Sequence, residues 1–428
     1  MKKLLLAFAL GFITAAANAQ SALDGAWVLS QDVYGNPLYQ RLTLKIDGTT
    51  VGGTIGRQTI TGTARGATLH FVASNGNGRS EFDGTLSGDR LSGSVVITPT
   101  DDSQPDKRTW FATRMPTRPP GPPRRHEFTP TTFQREFSAS IPPVLHIWPG
   151  DTVHTTTVDA AGMDEHGVTR VLGGNPETGP FFVETAMPGD MLVIRLTRLR
   201  LNRDFAISDD SLVARATDAG LAAKMNDQFN AVRWHLDRDR GVATPEKPTN
   251  HLATYVVPLR PMLGCIAVAP GFASAPPAAG DSGRWGGNMD FNEIVEGATV
   301  SLPVNQPGAL LYVGDGHAAQ GDGELNGNAL ETSMDVEFTV DLVPQTSMMG
   351  PRVESATHIM TVGLAGSVDD ALRSATASLA QWPEQDYSLT ASEIAMVLGT
   401  SVEYAIGEVA DRNAGVVAKL RKDRLVFK

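Results

Sequence analysis

A proline-rich stretch at residues 116–126 constrains the fold of this chain more than any other feature. Four of the five positions from Pro119 to Pro123 are proline, and proline lacks the backbone N–H that helices and central strands need. The stretch is therefore predicted to be an extended, semi-rigid linker. It separates a small domain at residues 20–115 from a larger domain at residues 127–428.

Short alternating segments punctuated by glycine fill the small domain. Polar and apolar residues alternate at residues 41–46, 68–72 and 81–86, with Asp-Gly and Asn-Gly pairs among the intervening residues. This pattern predicts successive hairpins and hence a small, antiparallel, all-β sandwich or barrel. No cluster of titratable side chains marks the domain, so we expect it to bind or pack rather than to catalyse.

Residues 1–19 have the three-part plan of a secretory signal. Lys2 and Lys3 precede an apolar stretch, and Ala-Asn-Ala at residues 17–19 is a small-x-small cleavage site. The apolar stretch is too short for a comfortable membrane span. We expect the mature chain to begin at Gln20 and to be periplasmic or secreted, with no membrane span; a retained N-terminal anchor is the alternative.

Charge and cysteine content restrict the function classes further. Without Lys2 and Lys3 the chain keeps 34 of its 36 basic residues against 47 acidic ones. Such an acidic surface argues against nucleic-acid binding, which needs basic groups to neutralise phosphates. Cys265 is the single cysteine, so it cannot form an internal disulfide, and its apolar neighbours predict a core residue rather than a nucleophile.

The larger domain is predicted to be mainly β with helices at its C-terminal end. Pro-Gly-Asp turns at residues 149–151 and 188–190 each lead into a strand-like run. Beyond residue 366 the apolar residues follow helical spacing instead of strand-like alternation, and Ser367 and Thr390 each begin a helix-capping sequence. We expect the first helix to end at Pro383, and the second to run towards residue 409.

The stretch at residues 308–331 turns abruptly from an apolar run into glycine and acidic residues. Asp315 and His317 are two apart, as are Asp322 and Glu324, so in extended backbone each pair projects to one side. Carboxylates and imidazole can gather around a cation, although this set suits several divalent metals. The simpler alternative is that the Asp-Gly and Gly-Asp pairs only form turns.

Four ordered motifs resemble those of the acetamidase/formamidase family. They are Asn-Pro-Glu-Thr-Gly-Pro at residues 175–180, the apolar run at 261–270, Gly-Gly-Asn-Met-Asp at 286–290, and the loop at 314–324. The resemblance covers the chain from about His126 onward. It implies a β-sandwich amidohydrolase that converts short aliphatic amides such as formamide or acetamide into a carboxylate and ammonia. The small domain and the signal segment are not part of the usual family pattern.

The family's metal and catalytic positions match Asp290, Asp315, His317, Asp322 and Glu324. We hypothesise that His317 with Asp290 and Asp315 holds a divalent metal, with zinc expected and calcium as the alternative. Such an ion activates water and polarises a carbonyl, which amide hydrolysis requires.

Further acidic residues are candidates for the remaining roles. Asp159 is a candidate fourth metal ligand. Glu324 and Asp322 are the candidates for general base and general acid, because a carboxylate near the metal can move a proton to the leaving nitrogen. Glu331 follows the loop and is a candidate supporting group.

Two alternatives to a short-amide hydrolase remain at this stage. One is a non-catalytic periplasmic binding or scaffold protein that keeps the family fold, and the other is a hydrolase of another acyl bond. The intact set of acidic and histidine residues favours an enzyme, since a non-catalytic descendant would be free to lose it. The expected partner is a small amide substrate, and a homo-oligomer is compatible with the sequence.

Overall fold

The computed structural model describes residues 22–101, 104–225, 230–271 and 274–426. The predicted signal segment lies outside these residues. The chain divides into two compact units: one extends to Pro119 and includes Met187–Gly189, and the other comprises Pro120–Ala186 and Asp190–Lys428. The first strand of the second unit, Arg125–Glu127, begins inside the segment predicted as a linker.

The first unit contains a closed barrel of eight antiparallel strands. Each strand pairs with the next in sequence, and the eighth closes on the first. The strands are β1 (Gly25–Val33), β2 (Asn36–Asp47), β3 (Thr50–Ile55), β4 (Gln58–Arg65), β5 (Thr68–Asn75), β6 (Gly78–Ser87), β7 (Arg90–Pro99) and β8 (Asp106–Arg114).

Aromatic rings fill the barrel. Phe71 and Phe82 stack with their ring centroids 4.5 Å apart, and Trp110 meets both edge-on. Gly93 lies where an added Cβ would be 1.8 Å from the backbone oxygen of Asp83, so the strands approach closely only because this residue has no side chain. The prediction of an all-β unit is confirmed, and its architecture is the barrel.

The second unit is built from two β-sheets. In chain order its strands are β9 (Arg125–Glu127), β10 (Leu145–Ile147), β11 (Thr152–Thr156), β12 (Thr178–Val183), β13 (Met191–Leu201), β14 (Phe205–Asp209), β15 (Ala231–Asp237), β16 (Val242–Pro245), β17 (Val257–Pro258), β18 (Met262–Val268), β19 (Ser282–Gly283), β20 (Gly286–Asn288), β21 (Thr299–Pro303), β22 (Leu311–His317), β23 (Glu331–Thr332), β24 (Met334–Val343), β25 (Arg352–Glu354), β26 (His358–Ala365), β27 (Glu403–Glu408) and β28 (Ala414–Arg421).

The two sheets enclose one hydrophobic core. The eleven-stranded sheet runs β17-β16-β15-β14-β23-β22-β18-β20-β19, with β12 pairing with both β22 and β10. The nine-stranded sheet runs β27-β28-β26-β25-β21-β13-β24-β11-β9. Ile266 and Val313 of the first sheet share a core with Leu192 and Val336 of the second, as in a β-sandwich. The pairing is antiparallel except at β9–β11 and β10–β12, so the mainly β, antiparallel fold class is confirmed.

Three α-helices occur in the described residues: α1 (Ala219–Ala222), α2 (Val368–Tyr387) and α3 (Ala391–Ser401). Both predicted N-caps are confirmed, since the Ser367 hydroxyl accepts from the backbone N–H of Asp370 and Thr390 forms a capping box. No helix of the described segments has the length and apolar character needed to span a bilayer.

The predicted ends of both C-terminal helices were wrong. Helix α2 continues through Pro383 to Tyr387, because Pro383 is buried on the helix face that packs towards the sheet, and this packing outweighs one lost backbone hydrogen bond. Helix α3 ends at Ser401 because the following residues pair with β28 as strand β27. Sheet pairing there overrides the helical pattern.

Gly363 of β26 allows α2 to lie directly on the sheet. A Cβ at this position would be 2.0 Å from the backbone oxygen of Ala371 and 2.5 Å from the backbone nitrogen of Ala375. We expect Gly363→Ala to lower the free energy of unfolding by about 1–3 kcal/mol, because the helix must move away from the strand. Urea denaturation measures this change, and a variant as stable as the wild type would contradict the packing described here.

Candidate metal and active site

Strand β22 forms the base of the candidate site. In its antiparallel pairings, His317 lies opposite Met262 of β18 and opposite Glu331 of β23. All seven residues of β22 are buried. Asp315 and His317 direct their side chains to the same side, since Asp315 Oδ2 lies 3.3 Å from His317 Nε2. The glycine- and acid-rich stretch therefore begins inside the protein and not on its surface.

The imidazole of His317 is surrounded by carboxylates. Its Nε2 atom lies 3.2 Å from Glu331 Oε1, 3.3 Å from Asp315 Oδ2 and 3.9 Å from Asp290 Oδ1. The potential ligand atoms of Asp290, His317 and Glu324 lie within 4.8 Å of one another, and so do those of Asp315, His317 and Glu331. His317 thus belongs to two overlapping groups of potential metal ligands.

Several atoms of this cluster are buried without a hydrogen bond. Among the described residues, Asp290 Oδ1, Asp315 Oδ1, His317 Nε2 and Glu331 Oε2 have no partner with hydrogen-bond geometry. An unpaired polar atom in the interior is costly, and a buried charge is costlier still. Carboxylate and imidazole lone pairs that converge without partners suit a cation, so these residues fit a divalent metal.

Three of the acidic residues hold a backbone conformation that side chains other than glycine rarely adopt. The φ angles are positive, in the left-handed region that favours glycine: 38° at Asp290, 54° at Asp315 and 48° at Glu324. Each such residue carries a conformational cost, of order 1–3 kcal/mol, that the surrounding structure must offset. Strain of this kind concentrates at functional sites, and it gives a physical reason to treat these positions as a unit.

A glycine makes room for the two aspartates. A Cβ at Gly264 of β18 would lie 2.2 Å from Asp290 Oδ1 and 2.4 Å from Asp315 Oδ2. The absence of a side chain on Gly264 is therefore what allows both carboxylates to approach the same point.

The charges of His317 and Asp315 depend on each other. Burial alone would lower the pKa of His317, but the carboxylates of Glu331 and Asp315 outweigh it and raise the pKa well above its usual value. Burial would likewise raise the pKa of Asp315, but the His317 charge outweighs it and holds that pKa below its usual value. In the absence of a metal, these two residues form a buried ion pair.

The other acids of the cluster tend to keep their protons. Burial raises the pKa of Asp290, and the charges of Glu324 and Asp315 raise it further. Burial, with the charge of Glu331, also raises the pKa of Glu324 well above its usual value. For Glu331, burial raises the pKa to about 7. Such shifts at several adjoining groups are typical of catalytic and metal sites.

Asn288 connects the cluster to two further segments. Its Nδ2 atom donates to Asp290 Oδ2 at 2.5 Å and to Asp411 Oδ2 at 2.8 Å, while its Oδ1 accepts from Asn175 at 3.0 Å. Burial and the Asp411 charge raise the pKa of the neighbouring Glu408 to about 8. Asn175, the first residue of the Asn-Pro-Glu-Thr-Gly-Pro motif, thus supports the site through Asn288.

Four of the predicted site residues come together in this cluster: Asp290, Asp315, His317 and Glu324. Asp322 is not among them, because it lies exposed at the surface, where its Oδ1 accepts from the side chain of Asn292 at 2.7 Å. An exposed carboxylate of this kind does not face the buried cluster, so the structure removes the reason for its predicted catalytic role.

Asp159 is buried but already has partners for both carboxylate oxygens. Oδ2 accepts from Arg203 at 2.6 Å, and Oδ1 accepts from the backbone N–H of Met163 at 2.8 Å. It therefore belongs to an ion pair and not to either group of potential ligands. Arg203 also donates to the backbone oxygen of Glu331, so the pair supports the site from behind.

The buried pair of Arg203 and Asp159 leads to a stability prediction. Both side chains are 1% exposed. We expect Arg203→Met to lower the free energy of unfolding by about 3–5 kcal/mol, because it leaves a buried carboxylate without its cation. Urea denaturation checks this, and adding Asp159→Leu is expected to recover part of the loss. A single variant with wild-type stability would contradict the assignment.

Sequence reasoning missed other polar residues of the site. Gln320 contacts His317 directly, and Glu177 is fully buried beside Cys265, where burial and the Asp315 charge raise the pKa of its carboxyl. Gln320 and Glu177 lie within two of the motifs that resemble the family, at residues 314–324 and 175–180. Their position in these motifs was the sequence signal that could have identified them. Cys265 is buried, as predicted.

Comparisons with known proteins agree with this arrangement. Residues 222–408 match the profile of the Acetamidase/Formamidase family. A putative formamidase of Schizosaccharomyces pombe is 51% identical over 41 residues, which is 10% of this chain and 10% of that protein. The chain therefore aligns with a small part of that curated relative.

Solved structures extend the similarity to most of the chain. A predicted acetamidase/formamidase from Thermoanaerobacter tengcongensis is 26% identical with a TM-score of 0.61, covering 71% of this chain and 98% of that one. An acetamidase from Yersinia enterocolitica is 28% identical with a TM-score of 0.62, covering 71% of this chain and 94% of that one. Residues 222–408, and the fold of most of the second unit, are therefore similar to the acetamidase/formamidase family and its solved structures.

Proposed function

We propose that this chain is an exported, metal-dependent amidohydrolase that cleaves the C–N bond of short linear amides such as formamide and acetamide. The observation that carries the proposal is the buried imidazole of His317, which forms one group of potential ligands with Asp290 and Glu324 and a second with Asp315 and Glu331. His317 Nε2 and one oxygen each of Asp290 and Asp315 have no hydrogen bond among the described residues. The similarity to the acetamidase/formamidase family supports the amide chemistry, and the acidic and histidine side chains support the metal dependence.

Asp290, Asp315 and His317 would hold the metal. One imidazole with two carboxylates is a ligand set that zinc accepts readily, whereas calcium would need more oxygen ligands from the surrounding acids. When bound, the ion supplies an activated water and polarises the amide carbonyl. The chain's own residues must then position the amide and move the protons.

Glu324 is suited to protonate the leaving nitrogen. Burial, together with the charge of Glu331, raises the pKa of its carboxyl well above the usual value, which favours the protonated form that a general acid requires. Oε1 already accepts a hydrogen bond from the backbone N–H of Ala329 at 3.0 Å. We therefore assign the transferable proton to Oε2. Ammonia is a poor leaving group unless it receives this proton as the C–N bond breaks.

Glu331 is suited to act as the general base, in place of Asp322. Its pKa of about 7 allows it to gain and lose a proton near neutral pH. Oε1 lies beside His317 Nε2, which leaves the unpaired Oε2 to accept a proton. Attack of water on the carbonyl carbon then transfers one proton to Glu331, and C–N cleavage takes one from Glu324. The products are ammonia and the carboxylic acid, which loses its proton to solvent to give the carboxylate. Transfer of a proton from Glu331 to Glu324 restores both residues to their starting states.

Export is the part of the proposal that rests on sequence alone. The secretory pattern at residues 1–19 supports a periplasmic or secreted protein that begins at Gln20. Cell fractionation and N-terminal sequencing of the protein test this. A chain that keeps Met1 in the cytoplasmic fraction would contradict export while leaving the chemistry intact.

The test of the proposed activity is ammonia release from formamide and acetamide by the purified chain. We expect both amides, or one of them, to be hydrolysed with equal amounts of ammonia and carboxylate. A protein that releases ammonia from neither amide would overturn the substrate assignment. A panel of larger amides and lactones in the same assay would then test whether the site cleaves another acyl bond.

A further inference from the structure

We propose that Gln320 is a positioning residue that fixes the tautomer of His317, so that Nε2 and not Nδ1 is presented to the metal. This inference rests on the proposed function, because it concerns the ligand atom of the same site. It goes beyond it by assigning a role to a residue that contributes no ligand atom to either acidic group.

The orientation of the Gln320 amide follows from its hydrogen bonds. Nε2 lies 2.5 Å from the backbone oxygen of Asp290 and 3.2 Å from the backbone oxygen of Gly407. A backbone carbonyl can only accept, so the amide end that faces both must be the NH₂ group. The opposite orientation would place three acceptor oxygens together, and it is therefore excluded.

The amide orientation in turn determines the proton on His317. Gln320 Oε1 lies 2.8 Å from His317 Nδ1. Because an amide oxygen can only accept, Nδ1 must carry the hydrogen in this bond. The neutral imidazole then has its lone pair on Nε2. That atom faces Glu331 and Asp315, and it has no hydrogen-bond partner among the described residues.

Gln320 also joins the parts of the protein that form the site. Its three hydrogen bonds connect the end of β22, the turn at Asp290 and the end of β27 near Gly407. A residue that hydrogen-bonds a metal-binding histidine without touching the metal affects the orientation and the basicity of the imidazole. The same side chain therefore sets which nitrogen is free and where that nitrogen points.

Two substitutions separate this role from simple packing. Gln320→Leu removes the acceptor for Nδ1–H and the donors to the two carbonyls. Gln320→Glu keeps an acceptor for Nδ1–H, and its other oxygen, when protonated, keeps one donor to the carbonyls of Asp290 and Gly407. We expect Gln320→Leu to weaken zinc binding by about 10–100-fold, and Gln320→Glu to retain most of the affinity. Gln306→Leu is the matched control, since Gln306 makes a similar bond to the backbone oxygen of Pro270 elsewhere in the domain.

Competition with a chelator measures the zinc affinity of the wild type and of each variant. NMR spectra of the full chain, loaded with zinc and labelled with ¹⁵N at histidine, identify which nitrogen of His317 binds the metal. The His317 signals are assigned by their loss in His317→Gln. We expect Nδ1–H with the metal on Nε2. Zinc on Nδ1 in the wild type, or equal losses of affinity in Gln320→Leu and Gln320→Glu, would overturn the proposal. Neither readout requires hydrolysis, so failure of the substrate assignment remains a separate result.

Discussion

Replacing His317 by alanine is expected to abolish tight metal binding and to lower kcat/KM for amide hydrolysis by on the order of 10³-fold or more, as for removal of a catalytic group. His317 is the single imidazole in both groups of potential ligands. Its loss leaves buried carboxylates that repel one another and must take up protons instead. Metal analysis of the purified variant and the ammonia assay measure both effects.

His166→Ala is the control for this prediction. The His166 side chain is 72% exposed, and it contacts none of the residues of the acidic cluster among the described part of the chain. We expect this variant to keep wild-type metal content and turnover. If His317→Ala retained both bound metal and activity, the assignment of the site would be wrong.

The second large effect is expected from Gly264→Ala, which adds one methyl group. That methyl would lie within 2.4 Å of one oxygen each of Asp290 and Asp315, so both carboxylates must move from the positions they hold. We expect kcat/KM to fall by roughly 100-fold, because small misplacements of catalytic groups have effects of this size. Bound metal should fall as well. Circular dichroism should show a retained β fold, because the backbone of Gly264 does not adopt a positive φ.

Gly399→Ala provides the matched control. Gly399 lies in α3, and an added Cβ would meet nothing within 4 Å. Alanine favours a helix more than glycine does, so we expect unchanged activity and equal or greater stability. Wild-type activity in Gly264→Ala would contradict the close packing of the two aspartates around this glycine.

Local patterns were sufficient to predict part of this site. Asp315 and His317 are two apart on β22, and they share a side as their spacing predicts, although the φ of 54° at Asp315 departs from extended backbone. Asp290 was expected near them only from the family resemblance of the Gly-Gly-Asn-Met-Asp motif. It lies there because it follows β20, which pairs with the same neighbouring strand, β18, as β22 does. The mainly β fold and the two helix caps likewise depend on short-range signals.

Asp322 and Glu324 do not project to the same side, although their spacing predicted it. These residues are two apart, but they do not lie in a strand: Glu324 has φ of 48° and Gly323 has φ of 86°. The turn directs Glu324 into the cluster and leaves Asp322 at the surface. A rule for extended backbone cannot anticipate this difference.

Other residues reach the site, or are drawn away from it, through contacts between segments that are distant in sequence. Gly323 forms backbone hydrogen bonds with Ile406 and Val409, which brings the end of β27 beside the loop. This contact places Glu408 and Asp411 near the site, although they are far from it in sequence. Asp159 was a plausible ligand from its sequence context, but its partner Arg203 lies 44 residues away. Long-range pairings of this kind leave no local pattern.

The metal dependence of amide hydrolysis is tested most directly by adding zinc stepwise to protein from which a chelator has removed the metal. Bound metal and ammonia release from acetamide and formamide are measured at each step. We expect no turnover in the metal-free protein and a return of turnover in proportion to the metal bound. Full turnover after complete removal of metal would contradict the metal dependence. Tight zinc binding that restores no ammonia release from either amide would contradict the assignment of this buried site to short-amide hydrolysis.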